Sequence, residues 1–265
     1  MKREEDCAVA KICAVANQKG GVGKTTTAVN LAACVAQAGR RVLLVDLDPQ
    51  GNATSGLGIP TGEGEDIYDV LMNGVPLSQV LRETPVAGLT LVPSSMDLAG
   101  AEIELVGQPQ REKRLRGVLE NGGGDFDYVF IDCPPSLGLI TLNAFAAAQG
   151  LLVPIQCEYY ALEGLTQLMN TVQLVRQSIN PGLGIEGVVL TMFDGRTNLS
   201  NQVAAEVKRY FREKVYPVMV PRNVRLSEAP SFGLPISTYD AGSSGAQAYQ
   251  ALAREFLRKN EGGAA

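Results

Sequence analysis

The sequence predicts a doubly wound α/β fold, with a mostly parallel sheet and helices on both of its faces. Short apolar runs rich in Val, Ile and Leu alternate along the 265 residues with longer stretches of helical periodicity. The runs lack strict polar–apolar alternation, which is typical of strands covered on both faces. A glycine-rich turn joins the first run to the first helix, and acidic residues follow two later runs. Both observations suit a sheet that binds its ligand at the carboxyl ends of parallel strands.

The elements follow in order from these patterns. The predicted strands are residues 12–16, 42–45, 89–92, 128–131, 151–155 and 185–190. The predicted helices are residues 25–38, 111–120, 139–148, 162–178, 202–213 and about 245–259, with Gly39 as the C-terminal cap of the first. The pattern contains no repeat and no low-complexity linker. We therefore predict a single domain over residues 11–260, with a short N-terminal extension at 1–10 and a frayed tail at 261–265.

Composition narrows the class of protein. The chain is 45% hydrophobic and 19% charged, and no apolar run approaches the roughly 18 residues that suggest a membrane span. The first six residues are charged where a signal peptide would be apolar, so we expect a cytoplasmic protein. Five cysteines form no C-x-x-C pair and histidine is absent, which argues against a zinc site and against imidazole catalysis.

Residues 19–26 read Lys-Gly-Gly-Val-Gly-Lys-Thr-Thr between the first strand and the first helix. Glycines allow positive φ and close approach of backbone N–H groups to an anion, and the helix directs its positive end to the same place. Lys24 adds a mobile cation, and the Thr25 hydroxyl can complete a Mg²⁺ shell. The segment is interpreted as a phosphate-binding loop, with a plain strand-to-helix turn as the alternative. Its predicted contacts to the nucleotide are Lys19, Gly20, Gly21, Gly23, Lys24, Thr25 and Thr26.

The loop departs from the usual P-loop pattern, because Gln18 stands where that pattern has glycine and Lys19 adds a second lysine. The resulting K-G-G-x-G-K-T resembles the deviant Walker A loop of the family that contains the ParA/Soj partition ATPases, the division-site protein MinD and the nitrogenase iron protein. That resemblance implies that Lys19 reaches across a homodimer to the nucleotide of the partner subunit.

Carboxylates follow two of the predicted strands. The second strand leads into Asp46-Leu47-Asp48-Pro49-Gln50-Gly51-Asn52, and the fourth run ends Ile131-Asp132-Cys133-Pro134-Pro135. By resemblance, Asp48 orients the attacking water, Asp46 supports Mg²⁺ from outside its coordination shell, and Asp132 is a Walker B carboxylate that binds Mg²⁺ through water. Local caps of turns or helices are the alternative for these residues.

A third segment narrows the resemblance to the ParA/Soj branch. The segment Val220-Pro221-Arg222-Asn223-Val224-Arg225, together with Thr191-Met192-Phe193-Asp194, is similar to that branch in particular. The resemblance now covers about residues 12–256. It implies that Pro221 and Asn223 flank the adenine of ATP.

Charge is unevenly distributed along the chain, whose net charge is −5. Residues 196–228 contain seven basic and three acidic side chains, a net charge of +4. A solvated helix face is the ordinary explanation of such a run. The ParA/Soj branch binds DNA without sequence preference as an ATP dimer, and the resemblance makes Arg196 and Arg225 the candidate phosphate contacts. Lys208, Arg209, Arg212 and Arg222 are weaker candidates.

The resemblance implies an ATP-dependent dimerisation switch that binds DNA, hydrolyses ATP slowly and is stimulated by a ParB/Spo0J-type partner in chromosome or plasmid partitioning. Its implied location is cytoplasmic and nucleoid-associated. Three other activities remain open: a MinD-like membrane-associated ATPase, an iron–sulfur reductase and a small-molecule ligase. The chain lacks a basic amphipathic ending, a second cysteine ligand and a recognisable substrate motif for these. A transcriptional regulator with an N-terminal helix-turn-helix is disfavoured, since about ten residues precede the first strand.

Overall fold

The protein, described here by a computed structural model for residues 10–158 and 163–262, forms one eight-stranded sheet covered by helices. The strands are β1 (Lys11–Val15), β2 (Val42–Asp46), β3 (Arg82–Glu83), β4 (Leu89–Val92), β5 (Tyr128–Asp132), β6 (Gly150–Gln156), β7 (Gly184–Phe193) and β8 (Val215–Pro221). The first six helices are α1 (Lys24–Gln37), α2 (Asn52–Gly56), α3 (Ile67–Met72), α4 (Leu77–Val80), α5 (Leu98–Glu104) and α6 (Arg114–Gly122). The others are α7 (Leu139–Ala147), α8 (Glu163–Ser178), α9 (Asn198–Phe211), α10 (Val224–Glu228), α11 (Ile236–Tyr239) and α12 (Ser244–Glu261).

The strand order is β3-β4-β2-β5-β1-β6-β7-β8, and among the described strands only the β3–β4 pair is antiparallel. The doubly wound, mostly parallel fold predicted from the sequence is therefore confirmed. β5 lies between β1 and β2, in a register that sets Asp132 beside Val15 on one side and Asp46 on the other. This register brings the ends of three strands, and the residues that follow them, to one edge of the sheet.

The sheet separates two hydrophobic cores. On one face, α1 and α12 pack against each other and over the central strands, with Leu31, Tyr249 and Phe256 fully or almost fully buried. The other face is covered mainly by α3 and α5–α9, which bury Phe145, Leu168 and many aliphatic side chains. Because both faces are covered, β2 and β5 are buried along their whole length. This packing fixes the positions of the loops that follow the strands.

All six predicted strands are present; the strand at 89–92 matches at both ends, and the bounds of the others differ by at most three residues. The bounds of the predicted helix at 202–213 were wrong, because α9 runs from Asn198 to Phe211. The helix begins at Asn198 because the Thr197 side chain caps it by accepting a hydrogen bond from the Ser200 N–H. The helix predicted at 111–120 is α6, which begins three residues later than predicted, at Arg114. Residue 162 of another predicted helix, and residues 1–9 of the predicted extension, lie outside the described residues.

The predicted tail began one residue too early, since α12 continues to Glu261. The Glu261 carboxylate accepts hydrogen bonds from Arg40 at 2.8 and 2.7 Å and from the Tyr128 hydroxyl at 2.9 Å. These hydrogen bonds hold the end of α12 to the segment between α1 and β2 and to β5. The helix therefore does not fray at Glu261. No helix in the described part of the chain is long and apolar enough to cross a membrane.

Candidate functional site

The glycine-rich loop joins the end of β1 to α1 at the edge of the sheet where the carboxylates meet. Gly21 and Gly23 have φ of 72° and 85°, in the left-handed region that favours glycine. A Cβ at Gly20 or Gly21 would meet no atom within 4 Å, so space is left beside the loop backbone. Helix α1 begins after Gly23 with no side-chain cap, which leaves its N-terminal dipole available to an anion.

Two polar side chains that sequence reasoning missed anchor the loop. The Asn17 amide donates to the Pro154 carbonyl of β6 at 2.7 Å and accepts from the Lys19 N–H at 3.1 Å. The Thr191 hydroxyl of β7 donates to the Val22 carbonyl at 2.8 Å. The loop is thereby held to two strands outside its own β1–α1 unit. Thr191 stands in a segment that carried the family resemblance, but nothing in the sequence indicates its contact with the loop.

Asp132, at the end of β5, is fully buried and neither of its carboxylate oxygens has a hydrogen-bond partner among the described residues. Burial, together with the charges of Asp46 and Asp48, raises its pKa well above the usual range, while Thr25 and Lys24 oppose the rise. A buried carboxylate without partners is costly, and a cation at this place removes the cost. Asp132 therefore fits its predicted role next to Mg²⁺.

Lys24 provides the positive charge nearest to this carboxylate. It is 7% exposed, and its ammonium donates to the Lys19 carbonyl of its own loop at 3.2 Å. Burial lowers the pKa of Lys24, while the charges of Asp132 and Asp48 raise it. The ammonium thus lies within the ring of the loop, where the phosphates of a nucleotide would displace the carbonyl as its partner.

Asp46 is a structural centre of the site. Its carboxylate accepts from the Thr54 N–H at 2.8 Å, from the Thr54 hydroxyl at 2.7 Å and from the Asp48 N–H at 3.2 Å. The Ser94 N–H in turn donates to the Thr54 hydroxyl at 3.0 Å. Burial raises the pKa of Asp46 to about 6, although the hydrogen bonds from Thr54 and Asp48 work against the rise. Asp46 thus ties the segment that follows β2 to α2 and to the end of β4.

Asp48 lies two residues beyond Asp46 and is 8% exposed. One carboxylate oxygen accepts from the Gln50 N–H at 3.0 Å, in the tight turn that the sequence suggested. Its charge acts on Lys24 and on Asp132, which places all three groups in one electrostatic cluster. Three of the candidate site residues, Lys24, Asp48 and Asp132, therefore lie close enough for their charges to interact. No group of three His, Cys, Asp or Glu side chains in the described part of the chain forms a metal cage. That is compatible with Mg²⁺, which keeps several water ligands.

Lys19 differs from Lys24 in its surroundings. It is half-buried at the start of the loop, and its side chain makes no ion pair with the residues that the structure describes. Thr25 and Thr26 follow in the first turn of α1, both half-buried. Thr27, which sequence reasoning did not single out, is buried with its hydroxyl 3.1 Å from the Tyr249 hydroxyl of α12.

A cavity of about 250 Å³ lies beside the loop, between α1 and the segment after β8. Pro221, Asn223, Gly23 and Thr26 all line it. The Asn223 side chain is already engaged, since it accepts from the Arg225 N–H at 2.8 Å and donates to the Ser244 hydroxyl at 2.8 Å. Asn223 thus lines the cavity and caps α10.

The two candidate DNA-binding arginines follow neighbouring strands, β7 and β8, at the same edge of the sheet. The Arg196 side chain is 90% exposed and forms paired hydrogen bonds with Asp194 at 2.9 and 2.7 Å. These bonds lower the pKa of Asp194 to about 2. Arg225 lies 2.9 Å from Glu228 and 3.6 Å from Asp240. Both guanidinium groups reach solvent, and both are paired within the chain.

The four described cysteines, which are Cys13, Cys34, Cys133 and Cys157, are all buried and free. Burial raises the pKa of each thiol, to about 11 for Cys34 and Cys157. Cys133 follows the Walker B strand but is fully buried in the core. It is therefore not positioned to ligate a cluster shared between two subunits.

Comparisons with known proteins agree with this geometry. A family model described as an AAA domain matches residues 10–185. Chromosome partitioning protein ParA of Myxococcus xanthus is 56% identical over 95% of this chain and 89% of its own length. Sporulation initiation inhibitor protein Soj of Bacillus subtilis is 58% identical over 92% of this chain and 97% of its own.

Solved structures show the same fold. Cobyrinic acid a,c-diamide synthase from Mycobacterium smegmatis, with bound ATP analogue and magnesium, is 41% identical with a TM-score of 0.85, over 96% of this chain and 97% of that chain. The septum site-determining protein MinD from Pyrococcus horikoshii, complexed with Mg-ADP, is 26% identical with a TM-score of 0.79, over 97% and 99%.

The fold and the site define a P-loop ATPase whose phosphate-binding loop carries a second lysine at its start. With more than half of its residues shared with partition proteins over nearly the whole chain, the protein belongs to the ParA/Soj family of chromosome-partitioning ATPases.

Proposed function

We propose that this ATPase is an ATP-dependent dimerisation switch that binds DNA without sequence preference and works with a ParB-type partner. The observation that carries the nucleotide and Mg²⁺ part is the buried carboxylate of Asp132, which has no partner and lies in one charge cluster with Lys24. Together with an uncapped helix start, this cluster suits a phosphate bound with a divalent cation.

Different residues bind the phosphates, the Mg²⁺ ion, the attacking water and the adenine. Backbone groups at Gly20, Gly21 and Gly23 and the Lys24 ammonium bind the phosphates of ATP. Thr25 and, through water, Asp132 would hold Mg²⁺, which would supply positive charge next to the transferred phosphoryl group. Asp48 orients the attacking water, and Asp46 holds the Asp48 segment in place through its bond with the Asp48 N–H. Pro221 and Asn223 flank the adenine, and Thr26 of the phosphate-binding loop lines the same cavity.

Dimerisation rests on Lys19. Because its side chain makes no ion pair within the described chain, it is free to stabilise charge on the nucleotide of a second subunit. Two subunits closing face to face would each receive one such lysine. Hydrolysis removes the γ-phosphate whose charge Lys19 of the partner subunit stabilises. The contact between the two subunits is then weakened.

DNA binding rests on Arg196 and Arg225, which lie at one edge of the sheet and contact phosphates. One such patch is weak, and a dimer presents two on one body, which raises their effective concentration. This accounts for DNA binding by a chain of net charge −5 in the ATP state only. It also implies a cytoplasmic protein associated with the nucleoid.

Gel filtration with duplex DNA, comparing ATP with ADP, tests the proposal. We expect a dimer that co-elutes with DNA in ATP and Mg²⁺, and a monomer that elutes apart from DNA in ADP. A monomer in both nucleotides would contradict the switch. A dimer in ATP that elutes apart from DNA would contradict only the proposal that the dimer binds DNA.

A diamide synthase activity is the second candidate, because the solved relative of 41% identity bears that name. The described thiols are buried with raised pKa values, which does not favour a cysteine nucleophile for amide chemistry. Incubation with cobyrinic acid, ATP and glutamine or ammonia, followed by mass spectrometry, distinguishes the two. Formation of a diamide would support the synthase.

A further inference from the structure

Asn17 lies where the chain leaves the sheet and enters the phosphate-binding loop. Parallel pairing of β1 with β6 reaches the Ala16 N–H, which donates to the Leu152 carbonyl at 3.0 Å. The next backbone bond of the ladder would join residue 18 to the Pro154 carbonyl, two residues further along each strand. The Asn17 side-chain amide takes that place by donating to the Pro154 carbonyl at 2.7 Å. The backbone therefore turns away from β6 while the carbonyl keeps a partner.

The same side chain also holds the backbone of Lys19. Its amide oxygen accepts a hydrogen bond from the Lys19 N–H at 3.1 Å, in the local turn that asparagine favours. Asn17 is 5% exposed, so water competes little for either bond. Because one partner is a carbonyl and the other an N–H group, the two bonds fix which way the amide faces. One side chain thus sets both the point where the loop begins and the orientation of the Lys19 backbone.

Another hydrogen bond to Lys19 comes from Lys24, whose ammonium donates to the Lys19 carbonyl at 3.2 Å. Phosphates that engage this ammonium would end that contact. The Asn17 bonds need no such exchange, since their partners are backbone groups of β6 and of the loop. With a nucleotide bound, Asn17 is therefore the side chain that continues to hold the Lys19 backbone.

We propose that Asn17 is the positioning residue for Lys19, which it directs toward the nucleotide of the partner subunit without taking part in nucleotide binding itself. The proposal rests on the dimerisation switch proposed above. A lysine side chain is long and has many rotamers, so it acts on a distant charge only from a fixed backbone. The loop has a second anchor, the Thr191 hydroxyl, which donates to the carbonyl of Val22, two residues before Lys24. Loss of the Asn17 anchor should thus affect the dimer, and loss of the Thr191 anchor the affinity for ATP.

The test compares Asn17→Ala and Thr191→Val with the wild type, in a non-hydrolysable ATP analogue and Mg²⁺. Fluorescence titration measures the affinity of the monomer for the analogue, and analytical ultracentrifugation measures the dissociation constant of the dimer. Asn17→Ala removes two buried hydrogen bonds. We expect it to raise the dissociation constant of the dimer about tenfold or more, while the affinity for the analogue changes less than about threefold. Thr191→Val should show the reverse, with the larger loss in affinity for the analogue.

Asn180→Ala is the matched control. The Asn180 amide likewise donates to a backbone carbonyl, that of Ala148, at 2.7 Å, but next to the end of β6 where the strand begins. This variant should lower the melting temperature and leave the dimer unchanged. Asn17→Ser keeps an acceptor for the Lys19 N–H and should retain part of the dimer. If the alanine variant does not fold, Asn17→Ser must show the same selective loss to a smaller degree, and a wild-type dimer there overturns the positioning role.

A wild-type dimer in folded Asn17→Ala, or an equal loss of nucleotide affinity and of dimer, overturns the role of Asn17. Loss of the dimer in Asn180→Ala also overturns it, because destabilisation alone would then be sufficient. A selective loss of the dimer in Thr191→Val does the same, since the two anchors would not differ. A wild type that stays monomeric with the analogue contradicts the dimerisation switch itself, and the positioning role fails with it.

Discussion

Two lysines five positions apart in one loop lie in different surroundings. Lys24 is buried against the loop carbonyl of Lys19, whereas the Lys19 side chain makes no ion pair among the described residues. We expect Lys24→Ala to abolish ATP binding, because it removes the positively charged side chain at the start of α1 that binds the phosphates. Lys19→Ala should retain much of that binding and lose the ATP dimer. Nucleotide affinity by fluorescence and mass by light scattering separate the two, and an equal loss of affinity in both variants would refute the action of Lys19 on the partner subunit.

Asp48 is expected to act on water and not on nucleotide binding. Asp48→Ala should therefore bind ATP, lose about 10²–10⁴-fold in turnover, and accumulate as a dimer. Single-turnover hydrolysis with a parallel binding measurement tests this. Asp48→Asn is the matched control, since it keeps the turn and removes only the charge. Wild-type turnover in Asp48→Ala would transfer the water-orienting role to another carboxylate.

The raised pKa of Asp46 predicts a pH dependence for the nucleotide-free protein. In the folded state the pKa of this carboxyl is about 6, above its usual value of 3.8. At pH values between these two pKa values, the folded state therefore binds more protons than the unfolded state. Its contribution to stability is thus present at low pH and is lost as pH rises from about 4 through about 6. Asp46→Asn removes this titration. Its melting temperature relative to wild type should therefore rise across that window, and a difference that stays constant with pH would contradict the assignment.

At the scale of elements, α2 and the segment before α11 meet through two glycines. Gly58 and Gly233 have φ of 75° and 66°, and a Cβ on Gly233 would lie 2.6 Å from the Gly58 Cα. This contact joins the segment that follows Asp48 to the segment that lines the base cavity.

We expect Gly233→Ala to destabilise the protein by about 2–4 kcal/mol, through overpacking and left-handed strain together. Gly62→Ala is the matched control, because Gly62 has φ of 76° and no atom within 4 Å of a Cβ. That variant should lose only about 1 kcal/mol. Urea unfolding measures both, and equal losses would show that the backbone contact adds nothing.

The sequence predicted the central elements better than the peripheral ones, for a physical reason. β1, β2 and β5 are buried on both faces, so they appear as continuous apolar runs. β8 was not predicted as a strand, because it lies at the edge of the sheet and contains Pro217 and Pro221. β3 has two residues and no pattern of its own.

Site prediction followed the same rule. Lys24, Asp48 and Asp132 were predicted because a motif or a strand end marks them, and the structure brings them together. Asn17, Thr54, Thr191 and Glu102 were missed, since their function depends on contacts with residues from 8 to 169 positions away. Such partners are set by the strand order and not by spacing in the sequence.

The whole molecule has opposite charges in different regions, and this bears on DNA binding. Each of Arg196→Ala and Arg225→Ala should weaken binding uniformly across DNA sequences and reduce the salt slope by about one unit per lost contact. The loss reaches about two units if both subunits of a dimer touch the duplex. ATP binding and dimerisation should survive in the double variant. Filter binding at several salt concentrations measures the slope, with Arg116→Ala on α6, outside the basic segment, as a matched basic control. An ATP dimer of the double variant with unchanged affinity and slope would overturn the patch.

The hydrogen bond between Thr27 and Tyr249 has a consequence for the order of synthesis. It joins the phosphate-loop helix to α12 across 222 positions of the chain, and α12 covers the same core face as α1. At about 5–20 residues per second, a ribosome makes Tyr249 roughly 11–44 s after Thr27. Throughout that interval α1 lacks the layer that covers it. The nascent protein therefore completes its nucleotide site only after α12 has been translated, although the loop itself is among the first segments made.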